Sequence, residues 1–407
     1  MRNTVHGNAP CNRRWPSERR GVADLTAFDM VAPGRLIFGR GKAEYAAEMA
    51  AGLGRRALLV HGREPERAAW LMDALRREGC AVMAVSSPGE PDLPALESAL
   101  EHARGHTPDL VVAIGGGAVL DTGKALAALI PGRRPIMDHL EVVGRALPLE
   151  VAPLPMLALP TTAGTGAEVT RNAVIGVPGS RRKVSLRDTR MVPDLAIVDP
   201  ALTDGLPPAV TLASGLDALT QVIEPFLSSR AAPMSDALCA AAIPVALPAL
   251  IRLMEEEEDP GARDSMAWVS LCGGLALAQA GLGAVHGLAG VIGGMAPDAP
   301  HGAVCGSLLP HVLSVNAERL RDADAVTRMA RVLGWMAAPL EVSAPRDVPA
   351  ALAAWSRAQG LPGLTAMGLE PAEFGVVARA AQGASSMKPN PVPLDVAALV
   401  ACLRAAA

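Results

Sequence analysis

Residues 158–170 read Ala158-Leu159-Pro160-Thr161-Thr162-Ala163-Gly164-Thr165-Gly166-Ala167-Glu168-Val169-Thr170. An apolar run stops at a proline, and threonines then alternate with glycines. Such a turn brings backbone N–H groups and hydroxyls close together, which is what the phosphates of an anionic cofactor need. Upstream, Val111-Val112-Ala113-Ile114 reads as a buried strand, and Gly115-Gly116-Gly117-Ala118-Val119-Leu120-Asp121-Thr122-Gly123-Lys124 opens a helix directly after it. The glycines let backbone amides approach a pyrophosphate without Cβ obstruction, and the helix start adds partial positive charge there. Two such loops on one sheet make a nucleotide cleft.

Strand and helix patterns alternate around these loops. Residues 42–53 suggest an amphipathic helix, 57–60 a strand, 65–78 a helix, 81–85 a strand and 93–104 a helix, with a last strand at 195–198. This alternation predicts a parallel sheet wound on both faces, with ligand beyond the carboxyl ends of the strands. Those ends carry Gly62, Gly115 to Gly117, and Thr161-Thr162. From Leu206-Pro207-Pro208 onward no strand pattern appears, and Ala- and Leu-rich helices fill the rest, interrupted by an acidic turn at Glu255 to Asp259. The expected organisation is an α/β nucleotide-binding domain over 30–205 and an all-α domain over 206–407. Residues 1–25 carry Arg13-Arg14 and Arg19-Arg20 with no apolar segment after them, and read as a disordered extension rather than a secretory signal.

At 407 residues the chain exceeds one ordinary domain, and two domains sharing a cleft is the expected plan. Half of the residues are hydrophobic but only 2% are aromatic, so Ala, Val, Leu and Met must fill the core. A net charge of -4 gives no basic field for nucleic acid or a membrane surface, and small-molecule chemistry is favoured. Cys11, Cys80, Cys239, Cys272, Cys305 and Cys402 are scattered and contain no C-x-x-C pair, which suggests reduced thiols in the cytoplasm. Residues 265–297 lack Asp, Glu, Lys and Arg, but many glycines, Gln279 and His286 interrupt them. A buried helix pair fits better than a membrane span.

The sequences GGGAVLDTGK and PTTAGTGAEVTRNAVI resemble the two signatures of the iron-containing (group III) alcohol dehydrogenases. Asp199-Pro200, Gly215-Leu216-Asp217-Ala218-Leu219-Thr220-Gln221 and Pro300-His301-Gly302 fall in that family's order, over about residues 30 to 400. The resemblance implies a Rossmann-like N-terminal domain, an all-α C-terminal domain and NAD(P)-dependent hydride transfer on a small alcohol or aldehyde in a cytoplasmic homo-oligomer, commonly a dimer. It implies cofactor contacts from Gly115, Gly116, Gly117, Ala118, Thr161, Thr162 and Thr165. Asp121 would then lie near the nicotinamide, Lys183 near the ribose, and Lys124 would be structural. At the end of the second strand, where a carboxylate selects NAD, stand Gly62 and Arg63, so NADP is expected to be accepted, with preference between NADP and NAD left open.

Ser214-Gly215-Leu216-Asp217 has the spacing of a helix N-cap, one reading of Asp217. By the other, Asp217 and Gln221, four apart, share a helix face pointing into the cleft. The resemblance adds His286 and His301 as further ligands of a divalent metal, Fe²⁺ or Zn²⁺. Catalysis would then work through a metal held by Asp217, Gln221, His286 and His301, with affinity falling below about pH 6 as imidazoles protonate. Gln221 departs from the family, where a histidine is usual; its amide oxygen is a weak ligand. Gly290 departs too, where many members have a proton-relaying histidine. His311 reads as a helix-start residue. The departures keep alternatives open: a metal-independent maleylacetate reductase-like enzyme, a dehydroquinate synthase-like lyase, or a nucleotide-binding protein that has lost turnover.

Overall fold

The computed structural model describes residues 27–407; the expected extension at 1–25 lies outside the described residues. In chain order the first half contains β1 (Arg35–Phe38), α1 (Ala46–Ala51), β2 (Arg56–His61), α2 (Glu66–Arg77), β3 (Ala81–Ser86), α3 (Leu93–His106), β4 (Leu110–Gly115), α4 (Gly117–Leu129) and α5 (Ile136–His139). β5 (Met156–Pro160), β6 (Asn172–Val177), β7 (Arg182–Arg187) and β8 (Leu195–Val198) follow. Six of these strands form one parallel sheet in the order β1-β8-β5-β4-β2-β3. β4, Leu-Val-Val-Ala-Ile-Gly, is buried along its whole length, as a strand covered on both faces by helices must be.

Register decides where the cleft opens. Gly115 at the end of β4 pairs with Pro160 at the end of β5, and Ile114 lies level with His61 at the end of β2. Three strands therefore stop at one height, and the loops after them share a rim. Two features depart from the sequence reading. The helix expected over 42–53 is a 3-10 turn at Lys42–Tyr45 running into the short α1. The Arg181-Lys183 segment is the turn and start of an antiparallel hairpin, β6 with β7, whose tight turn holds Arg181 at φ 51°.

The strands end at Val198, and the helical half begins with α6 (Pro208–Leu227), followed by α7 (Pro233–Glu255), α8 (Pro260–Ala280), α9 (Ala284–Met295) and α10 (His301–Arg319). α11 (Ala323–Ala337), α12 (Val348–Ala358), α13 (Phe374–Gln382) and α14 (Val396–Ala405) complete it. One apolar core, mainly Leu, Val, Ala and Met, joins these helices. The uncharged stretch at 265–297 is a helix pair, α8 and α9, bent by 97°. Among the described residues α7 is long and apolar enough to cross a membrane, and it packs against α6 and α8.

Two helix-start readings are corrected. α6 starts at Pro208, so Asp217 sits in mid-helix and its carboxylate caps nothing. His311 lies inside α10, where burial lowers its pKa.

Candidate active site

The two glycine-bearing loops touch. Thr161 N–H donates to the Gly115 carbonyl at 2.9 Å, and a Cβ on Gly116 would stand 3.3 Å from the Thr162 side chain. A Cβ on Gly117 would stand only 2.7 Å from Thr165 Oγ1, so glycine is what permits this approach. No side chain caps the start of α4 at Gly116, which leaves the N-terminal amides around Gly117 and Ala118 available at the rim. Gly62 lies alongside, with space around its Cα: an added Cβ would meet nothing closer than Val119 at 3.9 Å. The Arg63 guanidinium is exposed there and donates to the Pro88 carbonyl at 3.3 Å.

Asp121 is placed differently from expectation. One carboxylate oxygen accepts from Val174 N–H at 2.9 Å and the other lies 2.9 Å from Lys124 Nζ. Burial raises its pKa, with the Lys124 charge working against that rise. Lys124 is fully buried and also donates to Thr170 Oγ1 at 2.8 Å, so the pair fastens α4 to the hairpin and to the second loop. Lys183, on β7, pairs with Glu90, and a Cβ on Gly293 of α9 would stand 2.7 Å from its Nζ. It bridges the two halves of the chain.

The second loop also reaches the helical half. Gly166, at φ 58°, lies against α8 so closely that a Cβ would stand 2.6 Å from Gly274 Cα. A Cβ on Gly164 would stand 3.1 Å from that of Ser214 on α6. One turn beyond Asp217, Gln221 donates from Nε2 to the Thr165 carbonyl at 2.6 Å. The helix that carries Asp217 is thereby bonded to the loop at the nucleotide rim.

Asp217, His286 and His301 come together, as their spacing and the family resemblance suggest, and Cys305 lies with them. Donor atoms of these four residues all lie within 4.8 Å of one another. Gln221 has its amide nitrogen committed to Thr165. His286 Nε2 faces Asp217 Oδ1 at 3.3 Å, and both atoms are buried without a hydrogen-bond partner. Two unsatisfied buried polar atoms aimed at each other, ringed by an imidazole and a sulfur, fit a divalent cation.

Charge is concentrated here. Burial opposes the charged form of Asp217, yet the adjacent His286 and the charge of His301 hold its carboxyl below the ordinary value. Burial likewise works against the His286 imidazolium, but the neighbouring Cys305, Asp217 and Glu224 outweigh it and raise its pKa well above the usual histidine range. The pKa of His301 is pushed up to about 9, chiefly by the adjacent Cys305 and against burial.

Two participants escaped the sequence reading. Glu224, two turns after Asp217 on α6, accepts from His286 Nδ1 at 2.7 Å and from Val285 N–H at 2.7 Å. This fixes the ring so that Nε2 faces the group, as a carboxylate behind a metal-binding imidazole does. Cys305 follows His301 by four residues on α10, and that spacing was the signal that could have found it. Gly290 lies one turn beyond His286, and a Cβ there would meet nothing within 4 Å.

Both halves of the chain match known proteins. The family model described as iron-containing alcohol dehydrogenase matches residues 33–200, and that of the C-terminal domain of the Fe-containing alcohol dehydrogenase family matches residues 211–407. Alcohol dehydrogenase 4 of Saccharomyces cerevisiae is 32% identical over 317 residues, 78% of this chain and 80% of the yeast protein. A crystal structure of 1,3-propanediol oxidoreductase superposes with a TM-score of 0.83 at 28% identity, covering 94% of this chain and 100% of the other. That of sulfoacetaldehyde reductase from Bifidobacterium kashiwanohense in complex with NAD⁺ gives 0.79 at 25% identity, covering 94% and 99%. With both halves matched, the chain belongs to the iron-containing alcohol dehydrogenase family.

Proposed function

We propose that the rim formed by Gly115, Gly116, Gly117, Ala118, Thr161, Thr162 and Thr165 holds the pyrophosphate of NAD or NADP, and that Asp217, His286 and His301 hold a divalent metal beside the reacting carbon. The chain is an NAD(P)-dependent oxidoreductase that interconverts a small alcohol and its aldehyde, soluble and without a nucleic-acid partner. Residues 30–205 bind the nucleotide and 206–407 carry the metal and substrate. The observation that carries this reading is the 2.6 Å bond from Gln221 to the Thr165 carbonyl, because it sets the acidic helix directly against the nucleotide loop.

When bound, the nicotinamide donates or accepts hydride at C4, and the metal polarises the substrate oxygen or lowers an alcohol's pKa. Asp217 contributes the anionic donor that retains a cation. Glu224 orients His286 and keeps its Nδ1 protonated, so Nε2 offers the lone pair. Asp121 is a positioning residue: through Lys124 and Val174 it holds α4 in line with the rim. With glycine at 290, that turn of α9 offers no side chain to take the alcohol proton. Gly62 leaves room for a 2′-phosphate and Arg63 supplies a positive charge at the same edge, which supports use of NADP. Localisation in the cytoplasm and assembly as a dimer are part of the same proposal, on the ground of the family.

The test is nicotinamide absorbance followed with a panel of small aldehydes, using NADH and NADPH, before and after chelation. Turnover lost to the chelator and restored by Fe²⁺ or Zn²⁺ supports the reading. Undiminished turnover in metal-free protein overturns the metal part and favours the maleylacetate reductase-like alternative. No turnover with any carbonyl, despite dinucleotide binding, overturns the activity.

A further inference from the structure

The family's usual third imidazole is missing at position 221, and the glutamine that stands there commits its amide nitrogen to the Thr165 carbonyl. A buried cation held by Asp217, His286 and His301 alone would keep one fewer protein donor than its relatives have. Among the described cysteines, Cys305 is the one whose sulfur lies in this group. It is fully buried, one helical turn from His301, with Sγ 3.6 Å from His301 Nε2. We propose that Cys305 supplies the donor that Gln221 does not, so that this chain holds its divalent metal through one carboxylate, two imidazoles and one thiolate. The proposal rests on the metal reading above.

Tetrahedral bonds of about 2.0 to 2.3 Å place neighbouring donors about 3.3 to 3.8 Å apart. Two edges of the group already have that length, His286 Nε2 to Asp217 Oδ1 at 3.3 Å and Cys305 Sγ to His301 Nε2 at 3.6 Å. Each edge joins one pair of residues, and the pairs come from different helices: α9 with α6, and α10 with itself. The remaining edges, up to 4.8 Å, shorten by small side-chain rotations around a shared ion. Binding converts the Cys305 thiol to a thiolate and releases its proton to the buffer. A thiolate among the donors suits Zn²⁺ or Co²⁺ better than Fe²⁺, a softer set than the family name suggests. Gln221, freed from ligation, serves as the tie to the nucleotide loop. One substitution at 221 and one sulfur at 305 thus divide two tasks between neighbouring helices.

Two measurements on the full chain test this. X-ray absorption at the zinc edge of the purified, zinc-loaded protein should fit one sulfur at about 2.3 Å with nitrogen and oxygen neighbours. In the second, metal-free protein is titrated with Co²⁺. The wild type should show visible ligand-field bands together with a near-ultraviolet thiolate-to-cobalt band, saturating at one ion per chain. Cys305→Ser, with its fold checked by circular dichroism, should keep the visible bands, lose the near-ultraviolet band and bind about tenfold or more weakly. A zinc shell of nitrogen and oxygen only, or visible cobalt bands with no thiolate band in the wild type, overturns the role of Cys305 while the metal site stands. Absence of any cobalt bands and of bound zinc overturns the metal reading itself, and the proposal with it.

Discussion

Glu224 and His286 face each other across α6 and α9 with Oε2 and Nδ1 2.7 Å apart, and the same carboxylate holds Val285 N–H. One buried acid therefore fixes both the ring and the start of the helix that bears it. Glu224→Gln keeps the shape but weakens the hydrogen bond that orients and electron-enriches the imidazole. Metal affinity, measured by competition with a chromogenic chelator, should fall about 10–100-fold, while the melting temperature of the metal-free protein changes little. Unchanged affinity would remove Glu224 from the metal's support.

Gly117→Ala puts a methyl 2.7 Å from Thr165 Oγ1 and must push the two rim loops apart. Overpacking of this kind costs about 1–3 kcal/mol. The KM for dinucleotide should rise several-fold, with the metal content unaltered. A KM equal to the wild-type value would mean that the loops do not grip the cofactor.

Arg63→Ala should lower kcat/KM with NADPH about tenfold and leave that with NADH nearly constant, as loss of one phosphate-facing charge would do. Equal losses for both cofactors, or a strong native preference for NADH, would assign Arg63 to the surface instead.

Burial pushes the Glu168 carboxyl from 4.5 up to about 7, against a lowering contribution from Lys124. Between those values the folded chain binds more protons here than the unfolded chain, so this group's contribution to stability is full at low pH and declines as pH rises through about 7. Glu168→Gln removes the decline. Relative to wild type the variant should gain melting temperature at about pH 8 and gain none at about pH 4. A pH-independent difference between the two proteins would show that Glu168 ionises normally.

Gly290→His introduces an imidazole where an added Cβ meets nothing within 4 Å, so folding should survive. If the proton now leaves through solvent or ribose, a side chain there gives it a second route, and kcat should acquire a limb near the ordinary histidine value of about 6.5. A pH profile identical to that of the wild type would place the proton path elsewhere.

The nucleotide half was legible because its signals are local. Val111 to Ile114 followed by three glycines states a strand, a turn and a helix within a few residues, and the structure follows that order. The hairpin was not legible, since Arg181-Arg182-Lys183 carries the polar composition of a surface turn while its pairing partner, Asn172–Val177, lies across that turn. At the metal group, Asp217 could be placed by helical spacing, but Glu224 and Cys305 depend on which helices pack together. That depends on the fit of Ala, Leu and Gly surfaces, for which a sequence carries no local mark. Asp121 misled for a related reason: its motif position is at the rim, yet its rotamer points inward to Lys124.

Gly166 and Gly274 meet back to back, with no side chain between loop and helix. If the loop grips the dinucleotide as proposed, that grip is also seated on α8. Cofactor occupancy would then be linked to how the two halves meet. Small-angle scattering with and without NADPH should record this linkage, and a bulkier residue at Gly274 should sever it.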